Sequence, residues 1–265
     1  CPYQCCYCSK NVFGSKYRAQ SPSRTIEEIE LLIKNYGIKE IYFNDDVFTQ
    51  NMKKTEELCD LLIERKIDLT WGCSTRFNLV TPKLLEKMKK SGCITIGYGI
   101  ESAEQSILDY SKKNTTIANI QSTLKKTREI GMEIAAFFML GLPGETRQTA
   151  LKTISFAKKI DCREAYFSLA TPYPGTELYA WAKKNDYLIT EDWSRYNTCE
   201  PLISTPNISE SELRQLFYES YLRYYTSPKK IINLIKYGGN EYILKFFKES
   251  YRLPKTLYCS MEKNR

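Results

Sequence analysis

Histidine is absent from all 265 residues. That removes the commonest zinc ligand and the side chain that most often serves as a general base near neutral pH, so any chemistry here runs without imidazole. Long apolar runs are missing as well. No stretch approaches the roughly 18 to 20 unbroken apolar residues of a membrane helix, and no basic, then apolar, then small-residue pattern marks a secretory signal. No membrane span is expected, and the expected location is the cytoplasm. Disulfides are out of place in such a chain: with 42% hydrophobic residues it buries a sizeable core without covalent staples. In a reducing compartment its ten cysteines read as thiols or metal ligands. Low-complexity linkers and short internal repeats are also lacking.

What is there is an alternation. "SRTIEEIELLIKNYG" has the pattern of a helix, with Thr25 as the expected N-cap, Glu28 three residues on, Ile26, Ile29 and Ile33 on one face, and Gly37 as terminator. Apolar runs at about 38–44, 69–74, 94–99, 132–140 and 164–170 read as buried strands, separated by single amphipathic helices. One of these helices opens at Thr81-Pro82, one spans about 116–130, and a short one starts near Gly175. Strands apolar almost throughout, each followed by one helix, predict an α/β fold with a parallel sheet covered by helices. Beyond about 190 the alternation stops. Residues 207–265 are expected to be helical from Asn207 or Ser209, with breaks at Pro228, Gly238-Gly239 and Pro254.

The chain opens "CPYQCCYCSK", and only these cysteines are clustered; Cys59, Cys73, Cys93, Cys162, Cys199 and Cys259 are scattered. Cys1, Cys5 and Cys8 form CxxxCxxC, with Cys6 inside it. Soft thiolates this close together converge on zinc or on an iron–sulfur cluster. A zinc site wants a fourth ligand, which Cys6 could supply only if adjacent residues of a loop pointed the same way; Cys6 is therefore expected to be a bystander. Three protein thiolates on a four-iron cluster leave one iron open.

CxxxCxxC with an aromatic, Tyr7, before the last cysteine resembles the motif of the radical S-adenosylmethionine (radical SAM) enzymes, over about the first 185 residues. The resemblance is closest to the branch whose members carry a cobalamin-binding domain. It implies a partial (β/α)6 barrel of TIM type, with a 4Fe-4S cluster on Cys1, Cys5 and Cys8 and S-adenosylmethionine on the open iron. One-electron cleavage to a 5′-deoxyadenosyl radical would then serve hydrogen abstraction or methylation. Function in such barrels collects after the carboxyl ends of strands, where four segments match. "NDDVFT" puts Asp45 and Asp46 where the family binds the amino group of S-adenosylmethionine, in place of a common Gly-Gly-Glu. "CITIGYGIESAEQSILDYSKKNTT" resembles the "GIES" segment of the cobalamin branch and of oxygen-independent coproporphyrinogen oxidases. There Glu101 would meet the ribose hydroxyls or the amino group and Lys113 the methionine carboxylate, with Lys112 an equal neighbour. "FFMLGLPGET" would shape the adenine pocket around Gly141 and Gly144, with Glu145 expected to cap the next helix. "TPYPGTELY" follows the last strand, where Pro172 and Pro174 fix a turn. Arg76, after strand 69–74, is a candidate contact for the cofactor carboxylate or an anionic substrate. No catalytic residue toward the substrate is assigned.

Net charge is +8, and residues 207–265 hold eleven Lys and Arg against six Glu, interleaved with eleven aromatics. Such a stripe can bind nucleic acid through phosphate contacts and stacking, but cover for the open side of an incomplete barrel is the blander role. The expected division is a core over 1–190 and a helical, basic and aromatic extension over 191–265 packed on it. The competing function is a non-catalytic, metal-stabilised module that binds RNA or another partner. Implied partners of the enzyme are a flavodoxin- or ferredoxin-type reductant and an unidentified substrate. Cobalamin would have to come from a domain outside these residues. Because the family places a strand directly before the first cysteine, the sequence is expected to be a fragment lacking the first barrel strand.

Overall fold

The computed structural model describes residues 1–231, apart from 12, 13, 161 and 229. Its first helix, α1 (Pro22–Tyr36), begins one turn before the expected Thr25 cap. Ser21 is the cap: its hydroxyl accepts the Arg24 N–H, and Pro22 follows at a position where a helix has no use for a backbone donor. Thr25 lies inside, its hydroxyl donating to the Ser21 carbonyl. Gly37 ends the helix at φ 62°, the left-handed conformation in which glycine carries no Cβ penalty, and returns its N–H to Ile33.

The predicted alternation follows as β1 (Glu40–Phe43), α2 (Met52–Glu64), β2 (Thr70–Thr75), α3 (Pro82–Lys90), β3 (Cys93–Glu101), α4 (Gln105–Tyr110), α5 (Ile117–Glu129), β4 (Glu133–Leu140), α6 (Arg147–Lys159), β5 (Glu164–Leu169) and α7 (Glu177–Lys184). Only α4 had no sequence counterpart; at six residues it is too short for a clear period. The five strands pair in chain order, each parallel to the next, as one open sheet. This is half of a TIM-like barrel.

Alternation toward the carboxyl end of β4 assigns its faces. On β4, Ile134, Ala136, Phe138 and Leu140 are buried, while Phe137 and Met139 on the other face are half-buried. Trp71 on β2, with 0% exposure, anchors the buried side and donates its indole N–H to the Ser91 carbonyl at 2.9 Å. Tyr98 on β3 stacks on Phe77 at 4.7 Å and shares a hydrogen bond with Thr127 of α5.

The chain divides into two compact units, Cys1–Ser220 and Tyr221–Arg265. Helix α8 (Glu210–Tyr225) opens with a reciprocal cap: Ser209 Oγ accepts the Glu212 N–H, and the Glu212 carboxylate accepts the Ser209 N–H. Of the two expected start signals, Ser209 is the one used. The expected breaks at Gly238-Gly239 and Pro254 lie outside the described residues. No helix among them is long and apolar enough to cross a membrane.

Candidate active site

The cysteine loop is held by backbone. The Cys6 N–H donates to the Ser111 carbonyl at 3.2 Å, and the Cys6 carbonyl accepts the Leu178 N–H at 2.9 Å. These bonds fasten the loop to the end of α4 and the start of α7. The Cys6 side chain is 2% exposed, and burial pushes its thiol up to about 12. Cys5 behaves oppositely. Its hydrogen bond with the Cys8 thiol, then the charges of Lys113 and Arg76, draw it down to about 5 against the upward push of burial. Cys8 rises in turn, because the shared proton stays with it. Tyr7 packs against the cluster of Ile107, Leu142, Ala170, Leu178, Ala182 and Ile203. Burial first, and then the Glu101 carboxylate, hold its phenol well above the ordinary range.

Beneath the loop sits an ion pair. Lys113 Nζ donates to Glu101 Oε1 at 2.6 Å, with both side chains nearly buried. Glu101 ends β3 at a register shift with φ 65°, a conformation uncommon outside glycine. Gly99 makes room for it: a Cβ there would lie 2.5 Å from Glu101 Oε1 and 2.6 Å from Lys113 Nζ. Lys112, the equal neighbour by sequence, turns the other way and meets Glu177 on the surface at 2.5 Å. The turn that separates the two lysines has φ 56° at Lys112 and 52° at Asn114.

Arg76, 6% exposed, lies against the cysteine loop. Nη1 donates to Cys5 Sγ at 3.4 Å, Nη2 donates to the Lys113 carbonyl, and the guanidinium sits 3.8 Å from the Tyr3 ring centroid. Asn78 donates to the Tyr3 hydroxyl at 3.2 Å. After β1, Asp45 and Asp46 are exposed, and Asp46 Oδ2 lies 3.3 Å from the Cys1 nitrogen. Partial burial and the Asp46 charge raise the Asp45 carboxyl.

After β4, Gly141 takes φ 87°, and its N–H donates to the Glu145 carboxylate. Glu145 therefore does not cap α6 as expected. Thr146 does, in a reciprocal cap with Thr149, and the Glu145 side chain turns back to the strand end instead. It is 1% exposed, Oε1 makes no hydrogen bond, and burial pushes the carboxyl up to about 8.

Of the residues singled out by sequence, the fold gathers Cys5, Tyr7, Cys8, Arg76, Glu101 and Lys113. Cys1, Asp45 and Asp46 form a second group at the end of β1, and Gly141 a third at the end of β4. Among the described residues, no three Cys, Asp or Glu side chains stand together as a metal site; Cys5 and Cys8 meet without Cys1. The donor chemistry fits an iron–sulfur cluster all the same, since soft thiols share a hydrogen bond, one favours the thiolate, and two cations flank it. Tyr3, Asn78 and Gly99 escaped the sequence, because a ring under a guanidinium and space for an ion pair arise only from contacts between segments.

A model of the radical SAM superfamily matches residues 1–157. An uncharacterized methyltransferase of Pyrococcus horikoshii is 37% identical over 88% of this chain and 51% of its own length. The anaerobic magnesium-protoporphyrin IX monomethyl ester cyclase of Rubrivivax gelatinosus is 30% identical over 85% of this chain and 40% of its own. The chain thus spans about half the length, or less, of these curated relatives. In structure it is similar to the radical S-adenosylmethionine methyltransferase TsrM of Kitasatospora setae, solved with cobalamin and a [4Fe-4S] cluster bound: TM-score 0.64, 17% identity, 82% of this chain and 45% of that one.

Proposed function

The chain belongs to the radical SAM superfamily, and from that premise we propose that Cys1, Cys5 and Cys8 hold a 4Fe-4S cluster beside an S-adenosylmethionine site at the strand ends. When bound, the cluster supplies the electron that cleaves S-adenosylmethionine, for hydrogen abstraction or methylation of a substrate the protein must position. The observation that carries the reading is the buried Glu101–Lys113 pair beside the Cys5 and Cys8 thiols. A zwitterionic amino acid offers both members opposite charges, so the pair can exchange its mutual bond for the ligand with little change in buried charge.

The other residues take supporting roles. Lys113 receives the methionine carboxylate, and Glu101 the amino group or ribose hydroxyls. Asp45 and Asp46 are the alternative acceptors for the amino group, Gly141 offers backbone to the adenine, and Tyr7 closes the loop over the site and excludes water. Arg76 supports the cysteine loop. The names of the two curated relatives, a methyltransferase and a cyclase, support methylation or hydrogen abstraction as the reaction class. A cobalamin partner domain and a flavodoxin- or ferredoxin-type reductant fit the same reading. The core over 1–190 carries this site.

The test is anaerobic reconstitution with iron and sulfide, followed by dithionite and S-adenosylmethionine. Broad absorbance near 400 nm and release of 5′-deoxyadenosine are expected, whereas S-adenosylhomocysteine as the main product indicates methyl transfer. Replacement of Cys1, Cys5 and Cys8 together by Ala should abolish both products, and retained turnover overturns the ligand assignment.

A further inference from the structure

Arg76 is held with more care than a surface brace requires. Its guanidinium is almost fully buried, rests 3.8 Å from the Tyr3 ring centroid, and is fixed by Nη2 to the Lys113 carbonyl. Tyr3 is itself tied by Asn78. All of this aims Nη1 at Cys5 Sγ, 3.4 Å away. Arg76 begins the connection after β2, thirty-seven positions from Lys113 and seventy-one from Cys5, so its contacts reflect the fold and not local chain geometry.

We propose that Arg76 sets the reduction potential of the iron–sulfur cluster, as a positioning residue that donates a charged hydrogen bond to the sulfur of Cys5. This rests on the reading of Cys5 as a cluster ligand. Adding one electron from a ferredoxin- or flavodoxin-type donor adds one negative charge beside that sulfur, with no bond made or broken at the arginine. A fixed cation donating to the sulfur stabilises the reduced state more than the oxidised one, and a dry setting enlarges the difference. The potential therefore lies higher than it would without the guanidinium. Tyr3 contributes by holding the cation in place: its ring face attracts guanidinium and leaves the N–H groups at the rim free to point at sulfur.

The role differs from the two the sequence suggested. A contact with the cofactor carboxylate or an anionic substrate involves no hydrogen bond to the cluster sulfur, so Arg76→Lys, which keeps the charge, would then hold the wild-type midpoint.

The experiment is an anaerobic redox titration of the reconstituted protein, followed by electron paramagnetic resonance, on wild type, Arg76→Met, Arg76→Lys and Tyr3→Leu. The methionine variant should load the same iron and sulfide and show a clearly more negative midpoint. The lysine variant should fall between it and wild type, since it keeps charge but loses the planar fork, and Tyr3→Leu should shift the same way by less. If Arg76→Met fails to load, the other two variants decide. Loaded clusters at the wild-type midpoint in the variants overturn the proposal. Wild-type protein that takes up no iron and sulfide overturns instead the cluster assignment beneath it, so the two failures are distinguishable.

Discussion

At the residue scale, the energetic centre of the site is a charge pair that cannot lose one member cheaply. Lys113 and Glu101 are both nearly buried and 2.6 Å apart, so Glu101→Gln leaves a buried ammonium without its counter-charge. Removal of one partner from such a pair costs about 3–5 kcal/mol, while removal of both costs less than the sum. Urea denaturation should show that loss for Glu101→Gln or Lys113→Met alone and a partial recovery in the double variant; strict additivity argues against a coupled pair. Glu145 predicts a pH dependence. Its folded carboxyl is raised from 4.5 to about 8 by burial, opposed only by the Gly141 N–H. The folded state thus keeps a proton that the unfolded state releases, and stability is fully present below about pH 4.5 and declines as pH rises toward 8. Glu145→Gln should flatten that slope and raise stability at pH 8 by an amount on the order of a few kcal/mol. Chemical denaturation at pH 5 and pH 8 decides it, and an unchanged slope in the variant counts against a buried, protonated Glu145.

At the scale of elements, caps and glycines govern where chemistry can sit. Because Thr146 and not Glu145 caps α6, the carboxyl beside it is free to turn back and fix Gly141. Thr146→Ala should cost about 1 kcal/mol and speed amide hydrogen exchange in the first turn of α6, with the rest of the sheet unaffected; equal protection in that turn would refute the cap. β3 carries the tightest constraint. At Gly99 a Cβ would fall within 2.6 Å of both members of the ion pair, so Gly99→Ala should weaken S-adenosylmethionine binding, read by equilibrium dialysis, more than it lowers the unfolding midpoint. The strands were legible from their apolar runs and match to within about two residues, since burial on a parallel sheet imposes such runs. The cap of α1 and the role of Glu145 were not. Two serine- or threonine-like candidates within one turn both satisfy a local rule, and only the path of the chain selects between them.

For the molecule as a whole, the open five-stranded sheet places every strand end on one rim, and the cysteine loop is fastened across that rim through Ser111 and Leu178. Residues 191–220 are part of the same unit: Leu202, Ile203, Ile208, Leu213 and Leu216 are all buried, and Ile203 belongs to the cluster beneath Tyr7. A chain ended at residue 190 should therefore aggregate or unfold at markedly lower urea, while one ended at 227 should keep a cooperative transition; equal midpoints would show that the segment is dispensable. The sequence by itself determined the βα order, the parallel sheet, the spacing of Cys1, Cys5 and Cys8 and the family, because periodicity and motif spacing are short-range properties of the chain. It left open whether Lys112 or Lys113 faces inward and what Arg76 touches, and it put Glu145 at the cap of α6, where Thr146 stands instead. Tertiary structure decided these: Lys113 is buried with Glu101 while Lys112 meets Glu177, and Arg76 reaches a sulfur seventy-one residues away. Such partners are fixed by which loops pack together at the rim, and no local preference of a lysine or an arginine encodes that choice.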